Sequence, residues 1–168
     1  LDPSEGMIST ARSLGGISSN LRPIRFEISS AEDLGSQLSS SIPHASVDLI
    51  IAATAAHWFD MTQFWHRAAQ VLKPGGTVAI WAARGGYPHP SMPNYAAVQA
   101  AMSDIENQYL KPFAEQGTLL AKGLYTDLSF PWSLPEPVSE FDQETFYRKD
   151  WNKNVPCSEG DEFFASQN

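Results

Sequence analysis

The amino-acid sequence predicts an α/β fold with parallel strands, and three observations carry that prediction. Val47 to Ala53 is a short run of apolar and small residues, the composition of a parallel strand covered on both faces. Met61, Phe64, Trp65, Ala68, Val71 and Leu72 then recur at three- and four-residue spacing, which places them on one face of a helix. Thr77 to Trp81 is a second strand-like run. A helix of about twelve residues is roughly 18 Å long, enough to cross back over a sheet so that both strands run parallel. Such crossovers are right-handed in about 98% of cases.

The punctuation between these elements agrees with the reading. Asp60 stands where a helix N-cap belongs. Lys73-Pro74-Gly75-Gly76 supplies a stop: a cation in the last turn, a proline that cannot continue the helix, and glycines free to take positive φ.

Composition bounds the function. The 168 residues fit one domain by length, and 42% hydrophobic content is enough for a core. A formal charge of -8, from 19 acidic and 11 basic residues, disfavours nucleic acid or an anionic membrane as partner, since neither attracts this field. A small-molecule partner is the expectation. The single cysteine, Cys157, excludes an internal disulfide framework and builds no thiolate metal site by itself, which suits a reducing, cytoplasmic setting. No run of about 20 apolar residues and no signal-peptide pattern argues for membrane insertion or export. A start at Leu1 without methionine leads to the expectation of a chain that begins inside a fold.

At the beginning, Met7, Ile8, Ala11 and Leu14 have helical spacing, with Ser4 as N-cap and Glu5 at the positive helix end. Gly15-Gly16 and the serine-rich stretch to Asn20 end this helix. Two readings of Asp2 stand: a turn or cap residue, or an acid at a strand tip, where nucleotide-binding α/β folds grip ribose hydroxyls. Ile24, Phe26 and Ile28 alternate with polar residues, the period of a strand with one buried face. Glu32 and Asp33 beyond it are either a solvated loop or, if Asp2 meets a ribose, a neighbouring tip facing an adenine edge.

After Trp81 the stretch ARGGYPHPSMPNY forbids regular structure. A helix is predicted from about Asn94, with Tyr95, Val98, Met102, Ile105 and Tyr109 on one face and Pro93 near its first turn. A weaker amphipathic stretch runs from Phe113 to Leu124. LSFPWSLPEPV is proline-broken, and EFDQETFYRKDWN alternates enough to predict a strand in a cap or lid. The last residues, PCSEGDEFFASQN, carry no stop signal.

The fragments DPSEGMI at 2 to 8, SSAEDL at 29 to 34, VDLIIAATAAHWFD at 47 to 60 and VLKPGGTVAIW at 71 to 81 together resemble the class I S-adenosylmethionine-dependent methyltransferases, and among them the fungal trans-aconitate-methyltransferase-like group. HWFD after one strand and LKPGGT before the next carry the specificity. The resemblance covers the first half well and the aromatic second half loosely. It implies an incomplete Rossmann-like three-layer sandwich, with a partial S-adenosyl-L-methionine-binding core at 1–83 and a partial helical or irregular cap at 84–168. It implies cofactor across the carboxyl ends of the strands. Asp2 would take the ribose hydroxyls, and Ser30, Ala31 and Glu32 would line the adenine. Ala52 and Ala53 would pass the methionine part, and His57 and Trp58 would stand at the mouth. Trp58 either packs on the cofactor or wedges the core; His57 either faces the site or fixes its loop.

The chain departs from the family's pattern in lacking the glycine-rich loop and nearly all of the second strand. The expectation is a fragment in which the Ile24 to Ile28 and Val47 to Ala53 strands have bare ladder groups on facing edges.

The reaction that the resemblance implies is direct in-line displacement by an acceptor oxygen. A carboxylate acceptor is already ionised at neutral pH and needs no general base. This matches a sequence without a Ser-His-Asp or metal constellation: His44, His57, His66 and His89 lack ligand-like spacing. Arg84, Tyr87 and His89 are candidates to position a polycarboxylate, with Tyr125, Trp132 and Arg148 from the cap as outsiders. Two other functions stand beside this one. One is a non-catalytic remnant or small-molecule-binding fragment without cofactor; the other is an NAD-dependent oxidoreductase, whose glycine fingerprint is not present.

Overall fold

A computed structural model describes residues 1–83, 88–89 and 91–150. Helix α1 (Glu5–Leu14) starts where the Ser4 hydroxyl accepts the Met7 N–H at 3.3 Å. It ends where Gly15, at φ 67°, returns its N–H to the Ala11 carbonyl at 2.9 Å. That left-handed angle is where glycine has no Cβ penalty. Arg12 pins α1 to the following segment, donating to the Phe26 carbonyl at 2.8 Å and to the Glu27 carboxylate at 2.9 Å.

The central unit forms as predicted. Strand β1 (Val47–Ala53) leads through a 3₁₀ turn (Ala56–Trp58) into α2 (Met61–Val71), and β2 (Leu72–Trp81) returns parallel to β1. Asp60 caps α2 by accepting the Gln63 N–H at 3.1 Å. The buried face of α2 is Met61, Phe64, Trp65, Ala68 and Val71, the apolar stripe read from spacing.

The Lys73-Pro74-Gly75-Gly76 stop is part of β2 rather than a separate connection. Val47 pairs with Leu72 but Leu49 pairs with Thr77, so two steps along β1 face five along β2 and the extra residues form a bulge. Gly75 takes φ 79° there. Gly76 lies so close to β1 that a Cβ would stand 3.3 Å from the Asp48 carbonyl oxygen and 2.9 Å from Leu72. Lys73 reaches across to Asp48 at 2.7 Å, an exposed pair worth less than about 1 kcal/mol.

The predicted Ile24 to Ile28 strand is corrected. Only Ile28 pairs, in an isolated parallel bridge with Asp2, and Pro23 pairs with Ile17 across a turn. A period-two pattern becomes a strand only against a neighbour to ladder with, and among the described residues Asp2 alone supplies one at Ile28. Ile24 and Ile28 remain 48% and 42% exposed instead of burying a face. β1 has β2 on one side and no second ladder partner among the described residues. Leu49 and Ile51, at alternate positions, are accordingly about half-exposed.

Of two further expectations one holds and one changes. The helix predicted from Asn94 is α3 (Tyr95–Ile105), which passes into a π turn (Glu106–Leu110) and a 3₁₀ turn (Lys111–Phe113) before α4 (Gln116–Lys122). No residue of α3 is fully buried; of the predicted apolar face Tyr95 and Val98 are half-buried, while Met102, Ile105 and Tyr109 are exposed. The strand predicted in EFDQETFYRKDWN is absent through Asp150, where only a 3₁₀ turn (Gln143–Thr145) forms; Trp151 and Asn152 lie outside the described residues. Alternation there is not matched by any laddering neighbour among the described residues.

Tyr125, Leu128, Leu134 and Val138 instead join the core with α2, Ala52 and Leu34. Trp65 donates its indole N–H to the Ser129 carbonyl at 2.9 Å and meets Phe141 edge-on at 5.0 Å. Among the described residues no helix is long and apolar enough to cross a membrane.

Candidate functional site

The carboxyl end of β1 organises the site. Ala52 is buried in the core, and Ala53 pairs with Trp81, the last residue of β2. The chain then turns: Thr54, at φ 48°, returns its N–H to the Trp81 carbonyl at 2.8 Å. This sends His57 and Trp58 over the strand ends. Trp58 is 58% exposed, with its ring 4.7 Å from that of His57, so its indole is available to a flat ligand and does not wedge the core.

A second tip lies alongside the first residues. Asp2 donates its N–H to the Glu27 carbonyl at 3.3 Å and accepts the Ser29 N–H at 3.2 Å, which sets Asp2 beside Ser29 and Ser30 in parallel register. One Asp2 oxygen accepts the Ser4 N–H at 2.8 Å. The reading of Asp2 as a turn and cap residue is therefore correct as far as it goes, and one carboxylate oxygen remains for a ligand hydroxyl.

The Ser29 to Asp33 tip is built by its own side chains. Ser29 Oγ accepts the Gly35 N–H at 2.8 Å, and Ser30 Oγ accepts the Asp33 N–H at 3.1 Å while lying 3.1 Å from the Asp33 carboxylate. Arg67 of α2 holds this loop from below by donating to the Asp33 and Ile42 carbonyls at 3.0 and 3.2 Å. Glu32 then bridges the two tips, its carboxylate accepting the Asp60 N–H at 2.8 Å. Ala31, half-buried, packs against the core beneath.

The hydrogen bonds thus bring Asp2 beside Ser30, and Glu32 onto the loop that carries His57 and Trp58. No hydrogen bond among the described residues joins Asp2 directly to Ala52 or Ala53. The residues fit an adenosine-type ligand in their chemistry: two carboxylates, Asp2 with one oxygen in a local turn and Glu32 with one on the Asp60 N–H, each with a second oxygen left over, small side chains at the β1 end, and an exposed indole. A separate cavity of about 480 Å³ lies at the other end of the sheet, lined by His44, Gln70, Lys73, Gly75 and Phe141. It includes none of the residues at the strand tips.

The proposed substrate-positioning residues divide. Arg84 and Tyr87 lie outside the described residues, as does Cys157. His89 is exposed and its Nδ1 is 2.6 Å from the Ser91 hydroxyl, within a local turn. Trp132 stacks on Phe130 at 5.2 Å and meets Phe146 edge-on, so it belongs to an aromatic cluster of the cap. Tyr125, named only as an outsider, is the cap residue at the site: its hydroxyl lies 2.8 Å from His57 Nδ1. Arg148 supports it from behind, donating to the carbonyls of Leu124 at 2.9 Å and Tyr125 at 3.3 Å. Burial lowers the His57 pKa and raises that of the Tyr125 phenol, so both groups are neutral near pH 7.

Residues 1–80 match the family model described as a methyltransferase domain. The chain is 35% identical over 81 residues to CRG1 of Saccharomyces cerevisiae, named as an S-adenosylmethionine-dependent methyltransferase, and 31% identical over 80 residues to a Dictyostelium discoideum protein named as a methyltransferase. Each match covers 48% of this chain and 26% of the relative, so the matched segment spans about a quarter of the relatives' length. A solved structure from Anaeromyxobacter dehalogenans, described as a type II methyltransferase, aligns with 77% of this chain and 47% of its own at 27% identity and a TM-score of 0.48.

Proposed function

We propose that the chain, whose residues 1–80 match a methyltransferase-domain model, is part of a class I S-adenosylmethionine-dependent methyltransferase, and that its site serves methyl transfer to an oxygen of a small carboxylic acid of the trans-aconitate type. The observation that carries this reading is a pair of hydrogen bonds, from the Ser29 N–H to the Asp2 carbonyl and from the Asp60 N–H to the Glu32 carboxylate, which join the Ser29–Asp33 loop to Asp2 on one side and to the loop after His57 and Trp58 on the other. S-adenosyl-L-methionine, when bound, supplies an activated methyl group on a positively charged sulfur. Asp2 would hold ribose hydroxyls through its remaining oxygen, while Ser30, Ala31 and Glu32 would border the base. Ala52 and Ala53 would let ligand approach the β1 backbone, and Trp58 would cover it.

A carboxylate acceptor is ionised at neutral pH, so these residues need only align it and exclude water. Arg84, Tyr87 and His89 are proposed to position that acceptor. Calorimetric titration with S-adenosylmethionine, with NADH as control, tests the reading. Binding of the methyl donor but not NADH is expected; binding of NADH alone would overturn it.

A further inference from the structure

The contact between His57 and Tyr125 joins a turn at the end of β1 to a cap residue 68 positions later. Tyr125 is 5% exposed, and its hydroxyl has His57 Nδ1 as its only side-chain partner among the described residues. A buried phenol that fails to donate its proton leaves an expensive unsatisfied group. Donation to Nδ1 satisfies it. A neutral imidazole that accepts at Nδ1 carries its proton on Nε2.

The surroundings hold this arrangement. Leu124 and Tyr125 both adopt left-handed backbone, at φ 53° and 60°, which costs a non-glycine residue about 1–2 kcal/mol each. The Arg148 guanidinium clamps both carbonyls. Gly117 of α4 lies against the His57 carbonyl so closely that a Cβ would sit 2.5 Å from its oxygen. The half-buried imidazole therefore has a set position, and its Nε2 has no acceptor among the described residues. Beside it stands the exposed Trp58 indole.

We propose that Tyr125 is a positioning residue that locks His57 as the Nε2–H tautomer, so that His57 donates a hydrogen bond to a ligand carboxylate at the mouth of the site. The inference rests on the methyl-transfer reading, under which two ligands bring carboxylates: the amino-acid end of the cofactor and the acceptor. Either is recognised by a fixed neutral N–H donor through a charge-assisted bond.

Two measurements on the purified protein test it. Long-range proton-nitrogen NMR on nitrogen-15-labelled protein near pH 7.5 reads the His57 tautomer, expected as Nε2–H in the wild type and as a mixture or Nδ1–H in Tyr125→Phe. Calorimetry with S-adenosylhomocysteine, methylthioadenosine (which lacks the amino-acid end) and trans-aconitate then locates the carboxylate. His57→Phe is expected to lose about tenfold in affinity for one carboxylate ligand and nothing for methylthioadenosine, while His57→Gln, which keeps an N–H donor near Nε2, recovers most of it. A loss confined to S-adenosylhomocysteine assigns the cofactor's carboxylate; a loss confined to trans-aconitate assigns the acceptor's. An Nδ1–H tautomer in the wild type, no loss in His57→Phe, or an equal loss with methylthioadenosine overturns the inference alone. Failure of the wild type to bind S-adenosylhomocysteine overturns the methyl-transfer reading, and the carboxylate role with it.

Discussion

Glu32 accepts the backbone N–H of Asp60 at 2.8 Å, and Asp60 in turn caps the helix that covers the sheet. The two acids sit 28 residues apart, and this contact ties the Ser29–Asp33 loop to the turn that follows β1. Replacing Glu32 by alanine should cost about 0.5–1.5 kcal/mol of stability and weaken S-adenosylhomocysteine binding. Glu32→Gln, which retains an acceptor oxygen, should stay within about 0.5 kcal/mol of the wild type. Urea denaturation read beside calorimetry checks both.

Asp60 makes a prediction with a pH signature. Its carboxyl is held below the ordinary value of 3.8 by the Gln63 side chain and then by the Gln63 backbone. A group whose folded pKa is lowered stabilises the fold above its unfolded pKa, and loses that contribution as pH falls through the folded one. Asp60→Ala should therefore cost about 1 kcal/mol at neutral pH. The gap between the two proteins should narrow below pH 3.8. A gap that stays constant down to the acid transition would refute the capping role.

His57 has the opposite charge logic but the same sign. Burial lowers its pKa from the ordinary 6.5, so the folded protein resists a proton that the unfolded chain accepts. Stability from this group is complete above 6.5 and declines as pH falls from there to the lowered folded value. His57→Phe should remove that part of the pH dependence, seen as a flatter profile of unfolding free energy from pH 7 to 5.

Gly117 should not accept a side chain. A Cβ there would stand 2.5 Å from the His57 carbonyl oxygen and 2.7 Å from the Trp58 ring. Gly117→Ala should cost about 1–3 kcal/mol, because backbone and a packed indole must both move. Trp58 fluorescence should shift with it, and a wild-type spectrum and midpoint would show that α4 does not press on this turn.

Trp65 ties the cap to the core. Trp65→Phe removes the indole bond to the Ser129 carbonyl and part of the contact with Phe141, at an expected cost of about 1–2 kcal/mol. Trp65→Ala should cost about 3–5 kcal/mol. If thermal unfolding of both variants matches the wild type, residues 128–141 do not share the α2 core.

The unit from β1 to β2 was legible because its information is local. Asp60 beside the stripe Met61, Phe64, Trp65, Ala68 and Val71 specifies where a helix starts and which face it buries, and the glycines after Pro74 specify where the chain can bend tightly. The stretch from Ile24 to Ile28 carried an equally regular pattern and formed no strand, since a ladder needs a partner that periodicity does not supply. Helix α3 formed where its spacing placed it, but spacing defines a face and not what covers it: Met102 and Ile105 stay exposed.

The acids Asp2 and Glu32, and the turn at His57 and Trp58, were readable as short motifs; the bonds that fix them, Ser29 to Asp2 and Asp60 to Glu32, were not. Tyr125 shows the limit most clearly. Nothing near it in the chain distinguishes it from the other cap aromatics. Its role arises from a left-handed turn, the Arg148 clamp and a histidine 68 residues earlier. Local spacing dictates helices, caps and bends because those depend on neighbours in sequence, whereas the pairing of distant side chains is settled only when the core closes and buried polar groups must find partners.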